Sequence, residues 1–290
     1  MRSGIQQMNN RQPKDKQPVF VLGGTGKTGQ RIVQRLQERR WPVRIGSRTN
    51  NPKFDWLDQT TWKPALEGIK AVYISFQPDL AVPGSDDAIR AFTQTAVQCG
   101  VKQLVLLSGR GEPEAQVCEQ IVMNAGADWT ILRASWFNQN FSEGYLIEPI
   151  LEGFVALPAE NIPEPFIDTD DIADVAVAAL TENGHDGQLY ELTGPRLLTF
   201  KNIVEEISRA TGRKIHYEPI SIDAYKSAMV EHGVPQEYVD LLTYLFTVVL
   251  DGRNASVADG VERALGRQPI DFSEYARKTA ATGVWNQVVA

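Results

Sequence analysis

The chain has 290 residues, of which 42% are hydrophobic, and it carries a formal net charge of −7 with an isoelectric point near 5.2. This length allows one large α/β core with a smaller appended lobe. The acidic balance argues against direct nucleic-acid binding, which requires a basic face. Residues 1–17 are polar and contain no apolar segment, so we predict a disordered leader and neither a signal peptide nor a membrane anchor.

The first predicted strand runs directly into a glycine-rich turn. The apolar run Val19–Leu22 indicates a buried strand, and an apolar stripe at helical spacing follows the turn. Gly24, Gly26 and Gly29 have the spacing of a dinucleotide-binding turn, in which small residues let the backbone approach a diphosphate at the start of a helix. We predict that the whole turn contacts the dinucleotide, namely Gly23, Gly24, Thr25, Gly26, Lys27, Thr28 and Gly29.

The tip of the second predicted strand, Pro42–Arg48, indicates which dinucleotide is bound. An NAD site places an acidic residue here to bind the ribose 2′-hydroxyl, whereas an NADP site supplies arginine to the 2′-phosphate. No acid lies in this strand or in the three residues after it. We therefore predict NADP(H) as the cofactor, with Ser47 and Arg48 on the 2′-phosphate and Arg44 as an additional contact.

Strands and helices alternate through the rest of the first half. The pattern predicts, in chain order, a short strand at Lys53–Trp56, a helix at Trp62–Leu66, a strand at Ala71–Ser75, a helix at Ser85–Cys99, a strand at Gln103–Leu107, a helix at Glu114–Asn124 and a strand at Trp129–Arg133. This alternation predicts an α/β fold with a doubly wound parallel sheet, the Rossmann arrangement. Such sheets bind ligands at the carboxyl ends of their strands, so we predict further cofactor contacts from Asp55, Trp56, Ser75, Phe76, Gln77, Ser108, Gly109 and Arg133.

The pattern loosens from Ala134 onwards. An aromatic segment and a loop rich in Pro and Gly precede a helix through Leu180, a strand at about 189–193, a helix at Phe200–Thr211, a strand at Ile215–Pro219, and helices at Ile222–His232, Pro235–Leu250 and Ser273–Ala281. We predict a Rossmann domain at 18–150 that binds NADP and a smaller C-terminal α+β substrate lobe at 151–290. The strand at 189–193 is expected to return to the Rossmann sheet.

The two cysteines and three histidines do not form a metal-binding pattern. Cys99 and Cys118 lie in apolar helical contexts, far from any second cysteine at the spacing of metal ligands. We therefore predict two reduced, buried thiols in a cytoplasmic protein, with no metal site and no membrane partner.

Several segments together resemble the NmrA-like atypical short-chain dehydrogenases/reductases. They are the turn Gly23–Gly29, the tip Ser47–Arg48, the strand Val101–Ser108, the stretches Trp129–Phe141 and Phe166–Ala173, and Tyr190–Pro195. The resemblance covers nearly everything after the leader and is nearest to a branch that includes fungal ergot-alkaloid iminium reductases. It implies a Rossmann domain that binds NADP(H), a small C-terminal lobe over the nicotinamide, and either a reductase or a redox-sensing regulator.

One feature of the larger superfamily is missing. Its ordinary members use a Tyr-x-x-x-Lys pair to protonate a developing alkoxide, and this chain has no such pair. General acid catalysis typically contributes roughly 10²- to 10⁴-fold, so simple carbonyl reduction by that mechanism is disfavoured, and no catalytic residue is assigned. Iminium ions need only hydride, and quinones take their proton from water.

We therefore expect an NADPH-dependent reductase of an electrophilic small molecule, iminium, quinone or enone-like, acting as a monomer or homodimer. The nicotinamide is expected near Ser108, Gly109 and Arg133. The expected substrate contacts are aromatic and amide residues: Trp136, Phe137, Asn140, Phe141, Tyr145 and Phe246. The alternative is a non-catalytic NADP(H)-sensing regulator of NmrA type, for which the aromatic residues form a hydrophobic seam instead of a pocket. A sugar-nucleotide epimerase or dehydratase ranks low because it depends on the missing pair.

Overall fold

The structure is a computed structural model that describes residues 12–286. In this part of the chain the strands are β1 Val19–Leu22, β2 Val43–Gly46, β3 Ala71–Ile74, β4 Gln103–Gly109, β5 Asp128–Ala134, β6 Phe154–Leu157, β7 Gln188–Leu192 and β8 His216–Pro219. Six of them form one sheet in the order β2-β1-β3-β4-β5-β7, with every neighbouring pair parallel. Strands β6 and β8 form a separate parallel pair.

The helices follow the strands in alternation. They are α1 Lys27–Glu38, α2 Trp62–Leu66, α3 Ser85–Gln98, α4 Pro113–Met123, α5 Ile147–Glu152, α6 Thr169–Thr181, α7 Phe200–Thr211, α8 Ile222–Glu231, α9 Gln236–Tyr244, α10 Gly260–Leu265 and α11 Phe272–Ala281. Short 3₁₀ turns lie at Gln59–Thr61 and Asn138–Phe141, and a π-helical turn lies at Leu245–Val249. Among the described residues, none of the helices combines the length and the apolarity that crossing a bilayer requires.

The predicted doubly wound α/β class is confirmed, and the sheet also shows where a ligand fits. Strand β1 has β2 on one side and β3 on the other, so that Val21 pairs with both Ile45 and Tyr73. The strand order therefore changes direction at β1. Open parallel sheets bind ligands at the carboxyl ends of the strands at such a point, and the glycine turn leaves β1 at this end.

The chain divides into two compact units that interleave along the sequence. The Rossmann unit takes the chain up to Ala134 together with Thr169–Leu192 and Asp259–Gln268. The second unit takes Ser135–Asp168, Thr193–Ala258 and the chain from Pro269 onwards. This division differs from the single predicted boundary after residue 150. The predicted return of residues 189–193 to the Rossmann sheet corresponds to β7, which pairs with β5.

The core of the Rossmann unit follows directly from its apolar strands. Every residue of β1 is buried, as is every residue of β3, because helices cover both faces of a parallel sheet. Helix α1 buries the stripe that its sequence predicts, Ile32, Val33 and Leu36.

The core of the second unit is aromatic. The ring of Phe200 lies between those of Phe141, Phe166 and Phe246, with centroid distances of 5.1 to 6.1 Å. Helix α7 holds Phe200 in place because a capping box fixes its start: Thr199 Oγ1 accepts a hydrogen bond from the backbone amide of Asn202, whose side chain accepts one from the amide of Thr199.

Several elements differ from their prediction. Residues 53–56 form no strand, and their aromatic rings pack into a side-chain cluster instead. The segment predicted as a Pro/Gly-rich loop contains α5 and β6, and helix α10 was not predicted. The helix predicted at Pro235–Leu250 begins as α9 and continues as the π-helical turn.

The predicted disordered leader falls partly outside the described residues, which begin at residue 12. The part that is described makes specific contacts with the Rossmann unit. The backbone amide of Lys14 donates to the carbonyl of Thr181 at 2.8 Å, and its ammonium lies 3.2 Å from Asp186. Lys16 donates to the carbonyl oxygens of Arg39 and Arg40. Residues 12–17 therefore pack on this unit, which the prediction missed because short polar segments lack apolar periodicity.

Candidate functional site

The turn after β1 is packed so closely that two of its glycines could not carry a side chain. Gly23 has a positive φ of 63°, and the amide of Gly26 donates to its carbonyl at 2.8 Å. A Cβ on Gly29 would overlap the carbonyl group of Gly23, and a Cβ on Gly24 would lie 2.6 Å from Ile45 Cγ2. Side chains are therefore excluded on the inner side of the turn, which fits the close approach of a diphosphate.

The start of helix α1 also suits an anion. Gly26 at the N-cap supplies no capping side chain, and no acidic residue lies in the first helical turn. The first amides of a helix lack intrahelical acceptors and carry the positive end of the helix dipole. Phosphate oxygens at this position would satisfy those donors, so the turn and helix together fit the diphosphate of a dinucleotide.

Thr28 has a structural contact that the sequence did not reveal. Its side chain is buried and its hydroxyl accepts a hydrogen bond of 2.9 Å from Tyr73, which lies on β3. Burial raises the pKa of the Tyr73 phenol, so that it remains a donor. The hydroxyl of Thr28 thus fixes α1 on the sheet, which leaves its backbone amide as the group available to a ligand.

The three polar residues predicted at the tip of β2 have different environments in the structure. Arg44 donates to the carbonyls of Ala65 and Glu67 at 2.7 and 2.9 Å, so its guanidinium holds the end of α2 and is not available as the predicted additional phosphate contact. Ser47 donates to Asn50 Oδ1 at 2.8 Å within the loop. Arg48 is exposed and makes no hydrogen bond or ion pair within the described chain. Arg48 is therefore an exposed cation at the tip of β2 that the described chain does not engage.

The end of β3 lies beside the glycine turn. A Cβ on Gly23 would contact Ser75 at 3.4 Å, and a Cβ on Gly26 would lie 3.8 Å from the side-chain nitrogen of Gln77. The structure thus brings together the two strand ends from which cofactor contacts were predicted. Phe76 follows on the same strand end, and its ring lies 4.9 Å from that of Trp56.

Trp56 and Asp55 lie in the loop after β2. The Trp56 ring packs edge-on against Phe54 at 5.2 Å and remains half-buried. The carboxylate of Asp55 accepts from the backbone amide of Leu57 and lies 3.4 Å from the ammonium of Lys53. Asp55 therefore shapes this loop, while the partly open Trp56 ring is available to an adenine.

The ends of β4 and β5 carry a buried ionic network. The Ser108 hydroxyl donates to Glu119 Oε1 at 2.6 Å. The Arg133 guanidinium donates to both oxygens of Glu119 at 2.9 and 2.5 Å and to Glu191 Oε1 at 3.0 Å. The side chain of Glu119 is 1% exposed, and a buried carboxylate requires such partners. The cofactor contacts predicted for Ser108 and Arg133 stay a prediction, and their side chains are bonded to Glu119 in this structure.

Gly109, the third residue predicted at this edge, is covered by a carboxyl group. A Cβ on Gly109 would overlap the carboxyl of Glu112, the N-cap residue of α4. Glu112 is itself buried. Glu112 has no distinctive signal in the sequence, because an acidic residue before a proline at a helix start is common.

The residues predicted to contact substrate occupy the second unit at different depths. Phe141 and Phe246 are buried in its aromatic core. Trp136, Phe137 and Asn140 are half-buried. Tyr145 is 39% exposed. Trp136 packs against Phe200 and Phe246 at 5.3 and 5.2 Å, so the cluster is continuous from the core to the surface of this unit.

Two polar residues in the same segment were missed. Asn138 is fully buried, and neither atom of its side-chain amide has a hydrogen-bond partner in the described part of the chain. The hydroxyl of Ser135, which is also buried, has none there either. Buried polar groups are nearly always paired, so both could serve a polar ligand. Their signal in the sequence is weak, since both stand among aromatic residues that dominate the pattern.

The cysteines and the acidic clusters support no other chemistry. Cys118 is fully buried, and burial raises the pKa of its thiol to about 11, which disfavours a nucleophilic thiolate. Cys99 is half-buried. Within residues 12–286, no group of His, Cys, Asp and Glu side chains is arranged to hold a metal ion.

Two protein families match most of this chain between them. Residues 23–183 match the NAD(P)H-binding family, and residues 115–276 match the NmrA-like family. Agroclavine dehydrogenase of Claviceps fusiformis is 30% identical over 89% of this chain and 95% of its own. The NAD(P)H azoreductase of Xenophilus azovorans is 30% identical over 91% of this chain and 98% of its own.

Among solved structures, the NADPH complex of the quinone oxidoreductase QOR2 from Escherichia coli is similar in fold. It superposes with a TM-score of 0.75 at 19% identity, covering 90% of this chain and 99% of that chain. The family matches span more than half of the chain and include the glycine turn, whose geometry fits a nicotinamide dinucleotide. The chain therefore belongs to the NmrA-like family of NAD(P)H-binding proteins.

Proposed function

We propose that this protein is an NADPH-dependent reductase of electrophilic small molecules. The proposal depends on three features at the ends of β1 and β2. They are a turn in which Gly24 and Gly29 leave no room for a Cβ, an uncapped helix start, and an exposed arginine with no acid beside it. The named relatives support it, since one is a dehydrogenase and the other an NAD(P)H azoreductase, both of them oxidoreductases.

The diphosphate would be held by the backbone of Gly23–Gly29. Residues of the neighbouring strand end, Ser75, Phe76 and Gln77, would line the next section of the dinucleotide, and Trp56 would contact the adenine. When bound, the reduced nicotinamide supplies a hydride. The side chains of Ser108 and Arg133 would act indirectly, because their hydrogen bonds to Glu119 keep the ends of β4 and β5 in register with α4.

Preference for the phosphorylated dinucleotide rests on charge at the β2 tip. A carboxylate there would repel the 2′-phosphate and bind the 2′-hydroxyl of NAD, and the sequence has none from Pro42 to Asn51. Arg48 is exposed, and no carboxylate of the described chain neutralises it. A charge-assisted contact between a guanidinium and a phosphate contributes about 1.5–3 kcal/mol, so Arg48 would favour NADPH over NADH.

The class of acceptor follows from the missing Tyr-x-x-x-Lys pair. An acceptor that is already cationic, or that gains its proton easily, needs the least help from the protein. The relatives named as an agroclavine dehydrogenase and an azoreductase act on nitrogen-containing compounds. We therefore propose acceptors with an electrophilic C=N, N=N or conjugated C=O bond.

The substrate would contact the second unit through its partly open aromatic residues. Trp136, Phe137 and Tyr145 retain exposed area and would stack on a flat acceptor, with Asn140 beside them. Phe141 and Phe246 are fully packed and would support this surface from behind. The unpartnered amide of Asn138 would accept or donate a hydrogen bond to a polar ligand atom.

The test combines binding with turnover. Purified protein is titrated with NADPH and NADH by calorimetry, and NADPH oxidation is then followed against an iminium salt, an azo compound, an enone and a quinone. We expect tighter binding of NADPH than of NADH and turnover of at least one acceptor. Tight NADPH binding without turnover of any acceptor would support the regulator instead, and no binding of either dinucleotide would refute both.

A further inference from the structure

Two tyrosines of the second unit have hydroxyl groups that the described chain does not engage. Tyr145 lies in the loop between the 3₁₀ turn and α5, and Tyr225 lies in α8. Neither hydroxyl makes a hydrogen bond within residues 12–286. Tyr225 is 8% exposed, yet its hydroxyl is not among the oxygens that the fold encloses completely, so solvent reaches it. Since a buried tyrosine usually finds a partner for its hydroxyl, these two require an explanation.

Two other tyrosines of this unit show the usual arrangement. The hydroxyl of Tyr275, which is buried, donates to Ser142 Oγ at 2.6 Å. The hydroxyl of Tyr217, which is half-buried, donates to the carbonyl of Ala159. An unengaged hydroxyl is therefore not a general property of this aromatic core, and it sets Tyr145 apart as a group that a ligand can still use.

The phenol groups of Tyr145 and Tyr225 are neighbours at a concave part of the surface. Burial raises the pKa of Tyr145 well above its ordinary value, and the charge of an ionised Tyr225 would raise it further. Burial also raises the pKa of Tyr225. Tyr145 is nevertheless 39% exposed, so protein atoms surround its phenol while solvent still reaches the residue. Both hydroxyls keep their protons at neutral pH and are available as donors.

The loop that carries Tyr145 is held on both sides. Before it, the indole nitrogen of Trp285 donates to the carbonyl of Phe141 at 2.8 Å, and Ser142 is bonded as described above. After it, Leu146 is 2% exposed and belongs to the core of the unit. The Tyr145 phenol therefore has a defined position, as a ligand contact requires.

Aromatic rings lie next to the two hydroxyls. The Tyr225 ring packs edge-on against Phe246 at 5.5 Å, and Phe246 lies 5.2 Å from the half-buried ring of Trp136. Phe246 belongs to the π-helical turn, a feature found frequently at functional sites. Within the described chain, no charged side chain is among the groups that shift the pKa of either phenol. The surroundings are therefore aromatic and uncharged, which suits a flat, conjugated ligand.

We propose, on the basis of the reductase function above, that Tyr145 and Tyr225 form a hydrogen-bonding site for the oxygen of a conjugated carbonyl or quinone acceptor. Hydride addition to the β-carbon of an enone moves an electron pair to the carbonyl oxygen, with oxidation of NADPH to NADP⁺. The two hydroxyls donate hydrogen bonds to this oxygen as its negative charge grows, and they keep their own protons. The enolate then takes a proton from water, which leaves hydroxide.

The two hydroxyls distinguish acceptors by their polar atom. A carbonyl or quinone oxygen has lone pairs that accept from both donors, whereas the nitrogen of an iminium ion has no lone pair. Removing a hydroxyl should therefore impair the reduction of the first class and leave the second unchanged. A hydrogen bond to a charged oxygen contributes about 10- to 100-fold.

The decisive variants are Tyr145→Phe and Tyr225→Phe, which remove one hydroxyl each and keep the ring. Their matched control is Tyr238→Phe, which removes the hydroxyl of a tyrosine that is 42% exposed on α9. We expect kcat/KM for the enone and the quinone to fall about 10- to 100-fold in either variant, with kcat/KM for the iminium ion and the Kd of NADPH within about threefold of wild type. The hydroxyl of Tyr145 supports no internal hydrogen bond, so Tyr145→Phe should keep the wild-type melting temperature.

A second measurement needs neither cofactor nor turnover. The probe is 4-nitrophenol, whose phenolate oxygen resembles the oxygen anion of the enolate and whose absorbance reports its ionisation. Hydrogen bonds to the phenolate favour the ionised form. Each Phe variant should therefore bind 4-nitrophenolate about 10- to 100-fold more weakly than wild type and raise the pKa of the bound probe. Tyr238→Phe should change neither quantity.

The outcomes distinguish this donor site from the reductase function. Failure of the wild-type protein to bind 4-nitrophenolate, or unchanged binding in both Phe variants, would overturn the site and leave a reductase that turns over its acceptors. Equal loss of iminium and enone turnover in both variants would show a structural role for the two tyrosines and also overturn the site. Weaker probe binding in both variants without wild-type turnover of any acceptor would refute the reductase and retain the donor site.

Discussion

The two halves of the carboxyl edge of the Rossmann sheet are built on opposite principles. At the ends of β1 and β2 the proposed ligand contacts are backbone amides and one exposed guanidinium, and Gly24 and Gly29 leave no room for a Cβ. At β4 and β5 the polar side chains are buried and bonded to each other through Glu119. The first half therefore offers donors to an anion, whereas Ser108 and Arg133 in the second half already have Glu119 as their partner.

This difference explains why residues of similar appearance in the sequence have different roles. Arg48 and Arg133 both follow or end a predicted strand, and both were expected to contact the cofactor. Arg48 has no partner in the described chain, whereas Arg133 is the counter-ion of a carboxylate that is 1% exposed. The buried carboxylate of Glu119 therefore engages Arg133 and leaves Arg48 as the available arginine.

The largest effect on cofactor binding and stability is expected in the glycine turn after β1. Gly29→Ala places a Cβ where the carbonyl group of Gly23 lies, so the backbone of the turn must shift. Ordinary overpacking costs about 1–3 kcal/mol, and a clash with backbone cannot be relieved by a rotamer change. We expect NADPH binding to become undetectable by calorimetry and the melting temperature to fall.

A matched variant in the same turn is Gly26→Ala, whose Cβ would lie 3.3 Å from the Gly23 carbonyl. This contact is tight but tolerable, so we expect a smaller loss of stability. Equal thermal stability of the two variants would contradict the role of close packing at Gly29.

The second effect is a loss of stability at the ends of β4 and β5. Arg133→Met leaves Glu119 buried without its cation, which costs about 3–5 kcal/mol for a broken buried pair. Because the guanidinium is engaged with Glu119 and Glu191, the NADPH affinity of the folded variant should stay within about threefold. Urea unfolding and calorimetry measure the two quantities.

The double variant Glu119→Gln/Arg133→Met removes the uncompensated charge and should recover most of the lost stability. The opposite pattern, in which NADPH affinity collapses and stability is retained, would show that Arg133 contacts the cofactor after all.

The same contrast shows how much the sequence could predict. The turn, the parallel sheet and the strand ends follow from local patterns, because glycine spacing and apolar runs report on backbone conformation and burial. The partners of Ser108 and Thr28 do not, because their hydroxyls bond to Glu119 and Tyr73, which come from other elements. The second unit was harder to predict for the same reason, because strand β6 pairs with the distant strand β8, as Phe154 with His216.

The third effect is on cofactor choice. Arg48→Ala removes the exposed guanidinium from the β2 tip, which should weaken NADPH binding by about 10- to 100-fold, as expected for a charge-assisted hydrogen bond. NADH has no 2′-phosphate, so its Kd should not change. Calorimetric Kd values for both dinucleotides give the ratio.

Arg44→Ala is the control for Arg48. Its guanidinium is bonded to the carbonyls that end α2, so its removal should alter stability and leave the ratio of NADPH to NADH affinity unchanged. A change in this ratio for Arg44→Ala, or none for Arg48→Ala, would reverse the assignment of the phosphate contact.

The smallest effect is a change in the pH dependence of stability. The folded pKa of Glu112 lies above its ordinary value of 4.5 because of burial and the charge of Asp79. Above pH 4.5 the unfolded chain loses this proton while the folded protein keeps it, so the contribution of Glu112 to stability is complete below pH 4.5 and decreases as the pH rises through the folded pKa. One such group changes the slope by at most about 1.4 kcal/mol per pH unit. Glu112→Gln removes the proton, so between pH 5 and pH 8 its free energy of unfolding should decline less than that of the wild-type protein in parallel urea titrations. Identical slopes would mean that the folded protein does not raise the pKa of Glu112, which would contradict the effect assigned to burial and Asp79.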